Sequence, residues 1–167
     1  MLNRLPEQIE PLRLAEVGRG FQGEVAVSAL SRLAPDLHTR EGALRVELHF
    51  GLDERCVYAL TGRIEGELEL TCQRCLEPIR IPLGIELKLG IVTSEDEAEQ
   101  LPEGYEMLLV GQDPMVLAEL VEDEVILALP RIPRHADPKQ CVIQTEVVRA
   151  EEKANPFAVL KDLKNKP

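Results

Sequence analysis

Four cysteines stand at positions 56, 72, 75 and 141 of this 167-residue chain, and two of them form the run Thr71-Cys72-Gln73-Arg74-Cys75. On a tight turn a Cys-x-x-Cys pair can present both sulfurs on one side of the backbone, the arrangement two thiolates need on one tetrahedral metal. A structural zinc takes four protein ligands, so the pair alone is half a site. His135 and Cys141 are ligand types that zinc accepts. They complete a candidate Cys₃His set of Cys72, Cys75, His135 and Cys141 for one structural Zn²⁺. Three thiolates around Zn²⁺ leave a formal charge of −1, which Arg74, Arg131 or Arg134 would help offset. The five-residue spacer between His135 and Cys141 is longer than in zinc fingers.

Two other fates remain open for the pair. The thiols can stay reduced and pack with Leu70 and Leu76 around the turn. Alternatively the pair is a redox couple, although such couples open a helix whose N-terminus lowers a thiol pKa, and here a strand is expected to follow. Cys56, beside Val57, reads as a buried or half-buried spare thiol.

The elements that must carry these residues are legible from Leu44 onward. Val46, Leu48, Phe50 and Leu52 alternate with Glu47, His49, Gly51 and Asp53, the period of a half-buried strand. Asp53-Glu54-Arg55 reads as a turn. Ile64, Leu68 and Leu70 alternate with Glu65, Glu67 and Glu69 in a second strand. Ile79, Ile81, Leu83, Ile85, Leu87 and Leu89 make a third, in which Pro82 and Gly84 predict a sheet edge or a bulge. The Cys-x-x-Cys run falls where the second strand turns into the third. Short connections between these strands predict an antiparallel meander.

Residues 93–106 read as an acidic loop and residues 107–110 as a short strand. Asp113-Pro114 predicts a helix start running to about Leu129 and stopping at Pro130. Its apolar stripe is Leu117, Leu120, Val121, Val125 and Leu129, and its polar character comes from Glu119, Glu122, Asp123 and Glu124. Three prolines stiffen the loop that follows. Asn155-Pro156 predicts a second capped start for a short helix over residues 157–163. The expected fold class is therefore α+β: an antiparallel β-meander with an acidic helix packed on it and a short C-terminal helix. One α+β domain is expected over residues 1–150, its first forty residues poorly defined by pattern. A short helix and a basic, flexible tail are expected over residues 151–167.

Charge is segregated along the chain. The net charge is −11, yet residues 91–130 alone hold 11 acidic and no basic side chains. That stretch repels phosphate backbones and suits a basic partner, or serves as a solvated surface. Aromatic residues make up 3% and Trp is absent, so the core must be aliphatic. No apolar run is long enough to span a bilayer, and residues 1–14 lack the apolar region of a secretory signal. A cytoplasmic location is expected. There is no Gly-rich phosphate loop, and none of His38, His49 and His135 has a nucleophile beside it in the pattern. The chain is expected not to be an enzyme.

Four blocks resemble one known family in order: Leu70-Thr71-Cys72-Gln73-Arg74-Cys75-Leu76; Val121-Glu122-Asp123-Glu124-Val125-Ile126-Leu127-Ala128-Leu129-Pro130; Pro133 followed by His135 and Cys141; and Asn155-Pro156-Phe157-Ala158-Val159-Leu160. Together they are similar to the YceD family, the large ribosomal RNA subunit accumulation proteins. The resemblance covers about residues 45–165. Residues 1–40 and the acidic loop match loosely, and Cys56 lies outside the pattern. It implies a role in accumulation of 23S ribosomal RNA, through its synthesis, processing or stability, and supplies no catalytic residues. The metal set is inferred from ligand types, not from the family.

Two modes of action are expected from this reading. In the first, Glu119, Glu122, Asp123 and Glu124 meet a basic large-subunit ribosomal protein or assembly factor, with Asn155, Phe157 and Leu160 docking as a short amphipathic helix. In the second, Arg74, Arg131 and Arg134 beside a zinc knuckle contact 23S ribosomal RNA directly.

Overall fold

The computed structural model describes residues 5–141. The expected C-terminal helix, with Asn155, Phe157 and Leu160, lies outside the described residues. Alternating apolar positions form the sheet. β1 is Gln8–Ile9, α1 Pro11–Glu16, β2 Gly20–Ala26, β3 Ala43–Leu52, β4 Tyr58–Thr71 and β5 Pro78–Val92. They are followed by α2 Glu95–Ala98, β6 Glu106–Leu109, β7 Met115–Val116 and α3 Leu117–Ala128. The main sheet has the order β2-β3-β4-β5-β6, antiparallel except for the β5–β6 pair. This is the expected α+β meander, widened by one strand on each side.

Register explains which face is covered. Val46 pairs with Ile64 and Ile64 with Ile85, while Phe50 pairs with Leu60 and Leu60 with Leu89. All lie on one face, where Val46, Phe50, Leu60 and Ile64 are fully buried. Leu117, Leu120, Val121 and Val125 of α3 join the same core. The other face is open and carries its own charge pairs: Arg63 with Glu65 and Glu86, and Arg80 with Glu67 and Glu69. Such exposed pairs are worth about 0–1 kcal/mol each, so the buried face holds the sheet.

β5 is an edge along most of its length. It pairs with β4 over Pro78–Gly90, but with β6 only over Leu89–Val92. Pro82 sits on the free part, as its missing N–H requires. The acidic loop lies against the paired part. A Cβ at Gly90 would come within 2.5 Å of a Leu101 methyl, so that side chain would have to shift to admit one. Inside the loop, Ser94 caps α2, and the Glu97 carboxylate accepts from the Thr93 N–H at 2.7 Å.

Three expectations are corrected. The acidic helix starts at Leu117, not at Asp113-Pro114, because Met115 and Val116 pair as a strand with Ile9 and Gln8. The Leu117 N–H then donates to the Glu7 carbonyl at 3.0 Å, satisfying a helix-end donor without a side-chain cap. Cys56 is exposed, not buried. Leu76 is 71% exposed and does not pack around the turn. Cys56 and Leu76 both have positive φ, 60° and 64°.

Candidate metal centre

The hairpin between β4 and β5 places Cys72 and Cys75. Cys72 ends the strand fully buried, and its N–H donates to the Glu77 carbonyl at 2.9 Å. The Leu76 N–H returns to the Cys72 carbonyl at 2.9 Å, curling the turn so that both sulfurs face inward. The loop after α3 crosses this turn, and the Gln73 N–H donates to the Pro133 carbonyl at 2.9 Å. That contact delivers His135, and Cys141 follows a short 3₁₀ turn over Pro138–Gln140 in which the Lys139 N–H donates to the Asp137 carboxylate at 2.9 Å.

All four candidate ligands meet. The three sulfurs and a histidine nitrogen lie within 4.8 Å of one another. Cys72 Sγ is 4.0 Å from Cys141 Sγ, and His135 Nδ1 is 3.5 Å from Cys75 Sγ and 3.6 Å from Cys141 Sγ. A tetrahedral centre with metal–sulfur bonds of about 2.3 Å and metal–nitrogen bonds of about 2.0–2.1 Å sets sulfur–sulfur edges near ~3.8 Å and sulfur–nitrogen edges near ~3.6 Å. The cluster therefore has the dimensions to hold a metal ion. The other ring nitrogen of His135, Nε2, lies 3.2 Å from the Pro78 carbonyl. When Nε2–H donates there, Nδ1 keeps its lone pair free for the metal.

Electrostatics point the same way. Burial pushes the Cys72 thiol up, but the backbone N–H groups of Cys75, Arg74 and His135 outweigh it and bring its pKa to about 5. Burial, then the neighbouring sulfurs of Cys75 and Cys72, push Cys141 up. Three thiolates this close repel one another unless a cation sits among them. Arg74 reaches Cys141 Sγ at 3.8 Å and supplies part of the compensating charge.

The acidic helix divides. Glu122 is 1% exposed and is no surface group. Its carboxylate accepts from the N–H groups of Arg32 at 2.7 Å and Leu33 at 3.0 Å, and from Arg32 Nε at 3.1 Å. Arg32 also pairs with Asp123 at 2.7 Å. Glu122 thus ties the segment before β3 to α3, which corrects its assignment to a partner-binding face. Arg32 lies 90 positions away, and nothing local announces it. Glu119 and Asp123 are left exposed, and Glu124 is half-buried. Burial, then the charges of Glu106 and Asp123, push the Glu124 carboxyl up. Arg131 and Arg134 are exposed on the loop beside the cysteines, and neither has a carboxylate within ion-pair distance among the described residues.

Among the described residues no helix is long and apolar enough to cross a membrane. No solved structure matches the chain. A protein of Haemophilus influenzae, large ribosomal RNA subunit accumulation protein YceD, is 34% identical over 171 aligned positions that cover 98% of each chain. The family model described as large ribosomal RNA subunit accumulation protein YceD matches residues 60–164, a span that includes the hairpin tip, α3 and the metal cluster. On both grounds the chain belongs to the YceD family.

Proposed function

We propose that this protein supports accumulation of 23S ribosomal RNA in the cytoplasm without catalysis, by binding a basic large-subunit ribosomal protein or assembly factor. The observation that carries this reading is the acidic surface around α3. Burial and the neighbouring acids Glu106 and Asp123 push the Glu124 carboxyl up, which marks how closely the acids gather here. Acids gathered on one surface suit a basic partner. Glu119 is exposed on the same helix.

The Cys₃His cluster serves in this reading as a structural Zn²⁺ site. All four positions of a tetrahedron are taken by protein ligands, which leaves no open position for substrate or water. When bound, the ion supplies a cross-link between the hairpin tip and the loop after α3, and so fixes the exit of the acidic helix. Direct RNA contact by Arg74, Arg131 and Arg134 is the second reading. Their gathering beside the cluster favours it, and the net charge of −11 opposes it.

Affinity capture at low salt, with and without ribonuclease, tests the first reading. Retention of a basic large-subunit protein that survives ribonuclease, weakens steeply with salt and is lost in the double variant E119K/E124K is expected. Capture that ignores that charge reversal, or depends wholly on RNA, overturns it.

A further inference from the structure

A second surface lies beside the metal cluster. Where α3 ends, the loop of residues 130–134 turns back over the sheet and leaves an open groove of about 690 Å³. Leu129 lines its floor, and Ile126 and Ile132 stand on its walls, 39% and 56% exposed. Aliphatic side chains left open together on an otherwise charged surface mark a contact site. Arg131 and Arg134 form the rim. Asp36 is the acid on the rim that bonds to neither of them, and Arg32, also at the edge, is already neutralised by Glu122 and Asp123.

We propose that this groove binds an acidic segment of a partner protein, seating an apolar side chain over Leu129, Ile126 and Ile132 and its carboxylates on Arg131 and Arg134. Charge complementarity selects this occupant. The chain carries −11 overall, but the two rim arginines are without carboxylate partners among the described residues, so the attraction for an acidic segment is local to this rim. No Phe, Tyr or Trp lines the groove, so it offers no stacking platform for the bases of a single-stranded RNA. The rim is also stiff. Pro130 and Pro133 flank the arginines, the Pro133 carbonyl is held by the Gln73 N–H, and His135 follows within the metal cluster. A rim fixed in advance loses little freedom when a segment docks.

Fluorescence anisotropy with the full chain tests the proposal. The probes are a short labelled peptide of alternating Glu and Leu, the same peptide with Ser for Leu, and an oligouridylate of equal length. Saturable binding of the Glu–Leu peptide is expected, weakened about tenfold in R131E/R134E, since two lost exposed ion pairs plus two new repulsions amount to about 1.4 kcal/mol. I132D is expected to weaken it as well, and E86K, outside the groove on the open face of the sheet, to leave it unchanged. Thermal melts of each variant separate lost binding from lost folding, and both rim positions are exposed. Preference for the oligouridylate, equal binding of the Ser peptide, binding unchanged in the variants, or no binding tighter than about 1 mM, the range of non-specific contact, overturns the proposal. So does a dimer by light scattering that R131E/R134E abolishes, which would put a second copy of the chain in the groove.

Discussion

The sheet turns tightly at residues 53–57, between β3 and β4, and again at residues 72–77, between β4 and β5. Both turns contain cysteine, and both hold one residue in the left-handed region, Cys56 and Leu76. They are held by different chemistry. In the first, Asp53 does the binding from within. Its Oδ1 accepts from the N–H groups of Arg55 and Val57, both at 2.8 Å, and the Asp53 N–H donates to the Val57 carbonyl at 2.9 Å. Oδ2 accepts from the Tyr105 hydroxyl, whose ring lies under Lys88 Nζ at 4.3 Å, and this brings in the end of the acidic loop. In the second turn the Cys72 sulfur faces the turn's own Arg74 and Cys75 N–H groups, but the bonding does not end there. Cys72 and Cys75 reach beyond it, to His135 and Cys141 on a loop about sixty positions later. A carboxylate saturates nearby donors, whereas thiolates need a cation and further ligands. The first turn can therefore form alone, and the second is complete only once the rest of the chain has arrived.

Breaking the second turn has the largest expected effect. Cys72→Ser should abolish metal retention, read as the fall of bound zinc from about one ion per chain. If free zinc is a thousand times its Kd, the stability lost is about 4 kcal/mol. Protein purified without a histidine tag that holds no metal, and whose melting is the same with the cysteine replaced, would remove the clasp. Asp53→Ala is the matching cut at the first turn. It removes the acceptor of the Arg55 and Val57 N–H groups and should lower the denaturation midpoint by less than the loss of metal does, with metal content unchanged. A chemical denaturation midpoint and an elemental assay on the same sample separate the two.

The comparison also shows what a sequence can and cannot disclose. β3, β4 and β5 are legible because alternation with period two is a local property, and Ile64 or Leu68 announces its face through its own neighbours. The ligand set is legible because few residue types bind a soft cation, so Cys72, Cys75, His135 and Cys141 could be grouped without knowing any distance. Glu122 was hidden by the same reasoning. Three acids in a row on a helix read as a solvated face, and its burial depends on two backbone N–H groups 89 and 90 positions away. The start of α3 was misplaced for a related reason. Asp113-Pro114 is a sound local signal, but Met115 and Val116 gain ladder bonds to β1 that no local pattern contains. Cys56 was judged by its apolar neighbour Val57, while a positive φ at the turn directs its side chain outward.

The first turn should also announce itself through pH. The hydrogen bond from Tyr105, then that from the Val57 N–H, hold the Asp53 carboxyl below its ordinary value of 3.8. A carboxyl lowered on folding adds stability that is present above its unfolded value and is lost as pH falls through the lower, folded value. Tyr105 is raised above 10.0, first by its bond to Asp53 and then by burial. A group raised on folding adds stability that is present below its unfolded value and is lost as pH rises through the folded one. The stability difference between wild type and Y105F should therefore be flat from about pH 4 to pH 10 and shrink at both ends. A difference that varies across the neutral range would mean that Asp53 and Tyr105 do not hold this turn together.

The smallest expected effect is the finest test of the contrast. An L-residue in the left-handed region costs about 1 kcal/mol that glycine does not. Cys56 and Leu76 are both exposed, so replacing either with glycine sacrifices little packing. Part of the gain is offset because glycine has more freedom to lose from the unfolded chain. Cys56→Gly and Leu76→Gly should each stabilise by about 0.5 kcal/mol, or about 1–2 °C in melting temperature. The two gains should respond differently to a chelator. At position 56 the turn is held by Asp53, so the gain stays the same when metal is withdrawn. At position 76 the left-handed geometry is imposed by the curl that brings Cys72 and Cys75 together. Once the metal leaves, the turn can relax, Leu76 can leave that region, and the gain should shrink towards zero. Melting curves of the two variants with and without chelator measure this directly. Equal gains under both conditions would show that the second turn is held from within, as the first is, and that the cysteines merely gather around a turn already made.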